Sequence, residues 1–248
     1  MFHNSMPRYE ILSSDALATL DSGWRKIVTE IGVQFAKPEA VALFEANGQK
    51  VDGETVFLDP EFVLEQVAKA PGEFDMQARN HDHDVHIGGD SMVFSSVYGP
   101  PFFRHGTERR DGSLADFENF AKLAQTFEVL DSVGGVVVEP NDAPLDSRHL
   151  DMVYRALTMT DKIFMGNVVT GTNAEDTVAM GEMVFGGREA IEETPFCISL
   201  INCNSPLRWD DRMLDSLFVY TQARQPCIVT PFLPVSYTHL TLPTNREV

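Results

Sequence analysis

Asn202 and Asn204 stand two residues apart near the end of Phe196-Cys-Ile-Ser-Leu-Ile-Asn-Cys-Asn-Ser-Pro-Leu-Arg208, a run with an apolar, β-branched middle and a polar tip. Read as a strand, the run alternates its side chains, so Leu200, Asn202 and Asn204 share one face and Ser199, Ile201 and Cys203 the other. Two amides then point the same way at the strand's C-terminal end, where they can position a polar ligand. Glu139 closes a second apolar run beside Pro140-Asn141-Asp142. There it can face a pocket or cap the following turn. Asn167 and Thr170 end a third run, and Tyr98 a fourth, just ahead of Gly99-Pro100-Pro101. A tyrosine offers a π face to a cation or a rim hydroxyl to water.

Other clusters carry less chemistry. In His81-Asp-His-Asp-Val-His86, strand alternation would put His81 and His83 on one face and His86 on the other, so a solvated hairpin tip is the expected reading rather than a metal site. Asp84-x-His86-x-x-Gly89 matches a short cobalamin-binding pattern, but the downstream serine and glycine elements of that pattern are missing at suitable spacing. Gly186-Gly187 before Arg188 follows a helical pattern and lacks the Lys-Ser/Thr ending of a phosphate loop, so it reads as a helix stop and restart. Neither a Gly-x-Ser-x-Gly elbow nor a His-Glu-x-x-His run is present, which leaves serine-hydrolase and zinc-protease chemistry without support.

The elements that must position these residues fall into two rhythms. Residues 1–90 read as a lobe of helices and short strands. Ser13 or Ser14 caps a helix reaching Val28, Pro38 to Ala46 and Pro60 to Ala70 form two more, Val51 to Leu58 folds as a hairpin over Asp52-Gly53, and Phe74 to Asn80 pairs with Asp84 to Ile87. From residue 91 to 234, five strand-like runs alternate with amphipathic helical patterns. The strands are Met92 to Tyr98, Ser132 to Glu139, Ile163 to Val169, Phe196 to Asn204 and Pro226 to Phe232. The helices are Leu114 to Phe127 behind Ser113, Asp146 to Met159 with Leu150, Val153, Tyr154 and Leu157 on one face, Ala174 to Phe185, a short Arg188 to Glu193, and Asp210 to Gln222. Strand-then-helix repetition with apolar strands means parallel strands and right-handed crossovers. No Gly-x-Gly-x-x-Gly follows the first strand, so the α/β class expected is a partial TIM (β/α)8 barrel, with about five strands present, preceded by an N-terminal α+β lobe.

Charge and cysteine usage narrow the partners. With 37 acidic against 19 basic residues the chain is a poor match for a nucleic-acid backbone. No run is apolar and long enough to span a bilayer, and the first residues lack the pattern of a signal peptide. Three cysteines in apolar runs, without Cys-x-x-Cys spacing, read as packed thiols of a reducing cytoplasm. The last segment, Val235 to Val248, breaks the alternation, and Val235 to Thr244 matches a read-through translation of a transposase-type sequencing adaptor. Residues 235–248 are therefore expected to be a non-native tail. The strand edges of a half barrel would be open, so poor solubility or homo-oligomeric association through them is expected.

Met92 to Pro101, Asp111-Gly-Ser-Leu-Ala-Asp-Phe-Glu-Asn-Phe120, Val138-Glu-Pro-Asn-Asp-Ala-Pro-Leu-Asp-Ser-Arg-His149, Phe185-Gly-Gly-Arg-Glu-Ala-Ile-Glu-Glu193 and Ser199 to Arg208 resemble the trimethylamine methyltransferase family. The resemblance runs over nearly all of residues 7–233 and corresponds to the N-terminal half of a longer enzyme. It implies a TIM barrel that moves a methyl group from a methylated or quaternary amine, of trimethylamine or glycine betaine type, to the cobalt of a corrinoid carried by a partner protein. No cofactor would then be bound directly. Archaeal trimethylamine members carry pyrrolysine in the C-terminal half, which many bacterial relatives lack. By strand-end placement, Tyr98 and Glu139 suit the cationic end of such a substrate, and Asn167, Asn202 and Asn204 suit polar positioning. Two other classes fit the residues: a TIM-barrel metal-dependent lyase or hydrolase using Glu139 and histidines, and a non-catalytic binding protein for quaternary amines.

Overall fold

The computed structural model describes residues 2–7, 9–96, 98–204 and 207–231, so the expected tail at 235–248 lies outside the described residues. In chain order the first elements are β1 (Phe2–His3), α1 (Ser14–Lys26), a π-helical turn at Ile27–Ile31, β2 (Val33–Phe35), α2 (Pro38–Ala46), β3 (Lys50–Asp52), β4 (Thr55–Phe57) and α3 (Pro60–Val67). Then come β5 (Glu73–Met76), a 3-10 turn at His81–His83, β6 (Val85–Gly88), β7 (Ser91–Met92), β8 (Phe102–His105), β9 (Glu108–Asp111), α4 (Leu114–Thr126) and α5 (Arg148–Met159). The last are β10 (Phe164–Gly166), α6 (Gly171–Phe185), α7 (Arg188–Glu193), β11 (Cys197–Cys203), β12 (Arg208–Trp209), α8 (Asp211–Gln222) and β13 (Cys227–Pro231). They group into two compact units. One comprises the described residues of 1–9, 70–200 and 215–228, and the other those of 10–69, 201–214 and 229–231.

In the second unit, local signals act as expected. Ser13 caps α1 by accepting from the Ala16 amide at 3.2 Å, and Asp59 caps α3 through the Glu61 amide at 3.0 Å. Pro38 and Pro60 occupy first turns, where a missing N–H costs nothing. β3 and β4 pair antiparallel around Gly53, whose positive φ of 60° suits the turn. The sheet order is β12-β2-β4-β3, with Val56 fully buried and Phe35 between the rings of Phe44 and Trp209. No residue of α1 is buried, and Leu17 and Leu20 of its apolar stripe are 54% and 59% exposed.

In the first unit, parallel pairing carries the order. β10 pairs parallel with β11, and β13 follows on the far side of β11. Toward the other side, Ile163 bridges Ser132 and Ser132 bridges Ser95, both parallel. Two expected strands, Met92 to Tyr98 and Ser132 to Glu139, are corrected here. Neither forms a regular strand among the described residues; those of the first hold the end of β7, paired antiparallel with β1, and an isolated bridge at Ser95. The reason is local. Gly134 adopts φ 82°, Val137 turns its amide back to the Gly135 carbonyl, and the ladder survives as scattered bonds such as Gly99 N to Val136 O and Met165 N to Gly134 O.

Helices cover this series. α4 begins in a capping box in which Ser113 and Asp116 bond each other's backbone amides. α5 buries His149, Met152, Val153, Ala156 and Leu157, whereas Leu150 and Tyr154, expected on the inner face, are exposed. Its stripe is thus rotated by one residue, with histidine in place of leucine at its head. Phe196, fully buried, lies between Phe164 and Phe185 and directly over Gly181, where an added Cβ would sit 2.1 Å from the ring. Gln225, 2% exposed, accepts from the Phe196 amide at 3.0 Å and donates to the carbonyls of Ile191 and Ala223. The β8–β9 hairpin, turning at Gly106, was not expected from the sequence.

Candidate functional site

Three of the five candidate residues, Tyr98, Glu139 and Asn167, belong to the first unit, and each follows a parallel segment of that unit. Tyr98 lies half-buried with its ring across Gly135: a Cβ there would meet ring carbons at 2.1 and 2.4 Å. Only glycine permits that approach. Burial, and secondarily the charge of Glu139, push the Tyr98 phenol up to about 12, so it remains a neutral donor and π surface. Tyr98 and Asn167 both border a cavity of about 20 Å³, room for a single water.

Asn167 is buried. Its Oδ1 accepts from the Val169 amide and from Asn173 Nδ2, both at 3.1 Å, and its carbonyl accepts from the Tyr220 hydroxyl at 2.6 Å. Thr170 caps α6 through the Asn173 amide, which is why the helix starts three residues before the expected Ala174. Asn167 therefore pins a strand end to α6 and α8.

Glu139 has a partner that the sequence reading did not name. Arg148 Nη1 donates to Glu139 Oε1, while Arg148 Nη2 reaches the Ala143 carbonyl at 3.3 Å. The Arg148 side chain is 13% exposed, so the pair is shielded and presents both signs of charge at one place. The neighbouring His149, on the buried stripe of α5, bonds Asp176 through Nε2 at 2.8 Å. Arg148 Nε and His149 Nδ1 are buried without a hydrogen-bond partner among the described residues. The periodicity 149, 152, 153, 156, 157 was the available signal for His149. Arg148 had none, because its pairing with Glu139 is spatial.

Asn202 and Asn204 belong to the second unit. Burial alternates with period two from Cys197 to Ile201, and Asn202, Cys203 and Asn204 beyond it are all partly buried. Asn202 Oδ1 accepts from the Thr230 hydroxyl, leaving its NH₂ to donate elsewhere. Asn204 is committed to its own loop. Its Nδ2 donates to Asp210 Oδ2 at 3.1 Å and its backbone exchanges two bonds with Arg208.

The histidine cluster divides among separate partners. His81 is exposed beside Asp84, His83 bonds Asp161 at 2.6 Å, and His86 on β6 has Nδ1 at 2.7 Å from Asp75 and Nε2 at 3.2 Å from Glu73. Those carboxylates raise the His86 pKa. With both ring nitrogens engaged, His86 does not fit an axial corrinoid ligand, whatever the pattern around it. Among the described residues no three His, Cys, Asp or Glu side chains form a group that could hold a metal ion. The three cysteines are free, with Cys197 buried and its thiol pKa raised by burial.

Comparison with known proteins places this arrangement. Residues 1–235 match the family described as trimethylamine methyltransferase (MTTB). A glycine betaine methyltransferase of Desulfitobacterium hafniense (strain Y51) is 40% identical over 94% of this chain and 49% of its own length. A proline betaine:corrinoid methyltransferase of Eubacterium limosum is 25% identical over 88% of this chain and 46% of that protein. Trimethylamine methyltransferase MttB of Desulfitobacterium hafniense (strain DSM 10664 / DCB-2) is 23% identical over 79% and 40%. The chain spans about half the length of the curated relatives it matches. No described helix is long and apolar enough to cross a membrane. With one family matched along nearly its whole length, the chain belongs to the trimethylamine methyltransferase family.

Proposed function

We propose that the whole protein is a corrinoid-dependent methyltransferase acting on a small quaternary amine of the betaine class, and that this chain supplies the first part of its substrate pocket. The observation that carries the reading is the 40% identity to a glycine betaine methyltransferase across 94% of the chain. The same reading takes residues 1–90 as an N-terminal lobe and 91–234 as the first half of a TIM barrel. It is supported by the parallel bridges from Ser95 through Ser132 to Ile163 and by the parallel pairing of β10 with β11.

A corrinoid on a partner protein supplies the methyl acceptor. What this chain's residues do is bind, orient and exclude water. Tyr98, neutral at working pH, gives an N-methyl cation an aromatic surface. The shielded Glu139–Arg148 pair suits a zwitterion better than a bare amine, since the ammonium can lie toward Glu139 and the carboxylate toward Arg148. Asn167 acts by holding backbone in place within the same unit, and in the second unit Asn202 keeps an NH₂ able to donate while Asn204 holds its own loop. At about 20 Å³ the cavity beside Tyr98 admits no betaine, so the rest of the pocket comes from elsewhere in the protein.

The test is methyl transfer by the whole protein from glycine betaine to a supplied cobalt(I) corrinoid, followed as dimethylglycine. Betaine should turn over faster than trimethylamine, and Glu139→Gln should lower kcat/KM by roughly 30-fold, the cost of stranding one partner of a shielded pair. Betaine binding without transfer to any corrinoid would instead identify a binding protein. Absence of both binding and transfer would overturn the reading.

A further inference from the structure

A second cavity in the first unit, about 430 Å³, lies between the β8–β9 hairpin, α4 and the segment 137–138. It shares no lining residue with the space beside Tyr98 and Asn167. Its volume falls in the range of about 300–1,000 Å³ that small-molecule sites occupy. The walls are aromatic and aliphatic: Phe102 and Phe103 from the hairpin, and Phe120, Leu123 and Phe127 from α4 and its end. Phe127 is 53% exposed, so the space opens to solvent.

Charge decides what it takes. Among the described residues Arg104 is the one charged residue lining the cavity. Its Nε donates to the Gly106 carbonyl at 3.0 Å, which sets the guanidinium in the hairpin turn, and among the described residues it pairs with no carboxylate. Arg109 likewise lies over the Phe102 ring at 3.7 Å, and Arg110 over Phe103 at 4.4 Å. Two of the wall rings thus already carry a cation on one face. In a chain of net charge −18, this hairpin carries Arg104, Arg109 and Arg110 against Glu108 and Asp111, with Arg110 further paired to Asp116, around an apolar hollow.

We propose that this cavity is a binding site for small amphipathic anions, an aryl or alkyl carboxylate whose apolar body enters between the phenylalanines while its carboxylate meets Arg104. The ligand class is opposite in charge to the ammonium group of the reaction above, and the proposal stands without that reading.

Calorimetric titration of the 248-residue chain with 4-phenylbutyrate, 4-phenylbutan-1-ol and 4-phenylbutylamine tests it. The carboxylate should bind at least tenfold more tightly than the amine. Arg104→Gln should bring acid and alcohol within about threefold of each other, since a rim charge sets selectivity. Phe127→Glu, which changes a half-exposed side chain and keeps the backbone carbonyl that Lys162 bonds, should reverse the order of acid and amine. Absence of saturable binding by the acid up to about 5 mM, a Kd that would correspond to only about 3 kcal/mol, overturns the site. Equal affinity for the three probes, or selectivity unchanged by both substitutions, overturns the role of Arg104 and with it the proposal.

Discussion

Replacing Lys162 by methionine should unfold this chain far more readily than any surface change. Lys162 is 6% exposed, and its ammonium donates to the carbonyls of Ala124, Phe127 and Leu130 at 2.9, 2.8 and 2.7 Å. It closes the C-terminal end of α4 and the turn after it, where the helix dipole favours a cation. Methionine keeps the length and the apolar stem but removes all three donors. Each carbonyl left without a partner costs about 1–3 kcal/mol, and the lost dipole interaction adds about 0.3–1 kcal/mol. Against this, the mutant no longer desolvates an ammonium, which burial opposes strongly enough to lower the lysine pKa. The lower end of the three carbonyl costs, about 3 kcal/mol, is therefore the expected net loss. In urea unfolding followed by circular dichroism, that is a midpoint lower by roughly 1–2 M at unchanged m. A loss below about 1 kcal/mol would mean that the three bonds only offset the ammonium's own desolvation, and the reasoning would fail.

Two further outcomes follow from packing and charge. Gly135→Ala places a methyl 2.1 Å from the Tyr98 ring and should cost about 1–3 kcal/mol while displacing the tyrosine, read as a changed tyrosine near-ultraviolet signal; an unchanged signal and midpoint would refute the close approach. Asp116 accepts a two-pronged bond from Arg110 at 2.6 and 2.8 Å and further bonds from Ser113, which hold its carboxyl well below the usual range. Because the folded pKa lies below the unfolded value of about 3.9, the stabilisation is complete above that pH and is lost as pH falls toward the folded pKa. Asp116→Asn should therefore flatten the acid limb of the stability profile, and superimposable limbs for the two proteins would count against the assignment.

How far the fold was legible depended on whether the decisive signal was local. Caps at Ser13 and Ser113, prolines opening α2 and α3, and the Asp52-Gly53 turn are short-range features, and the elements they predict are present. Ser132 to Glu139 was different. Its valines promised a strand, but Gly134 breaks the pleat with a positive φ and Gly135 lets the Tyr98 ring lie across it. The β8–β9 hairpin was hidden because Phe102 and Phe103 are adjacent and its second strand is charged throughout, so no alternation marks it. At the candidate site, strand alternation could place Asn202 and Asn204 relative to their own strand only, because their bonds to Thr230 and Asp210 depend on segments brought close by folding. The same holds for Glu139, whose chemistry changes once Arg148 is beside it.

Gln225 gives the sheet a common clock. One buried amide joins the exit of α7, the entry to β11 and the turn after α8, since Ile191, Phe196 and Ala223 all bond to it. None of these ends can open to solvent without releasing the other two. Two successive crossovers that could have frayed independently should therefore exchange their terminal amide protons at one shared rate, set by the loss of a single side chain's contacts rather than by the stability of either helix.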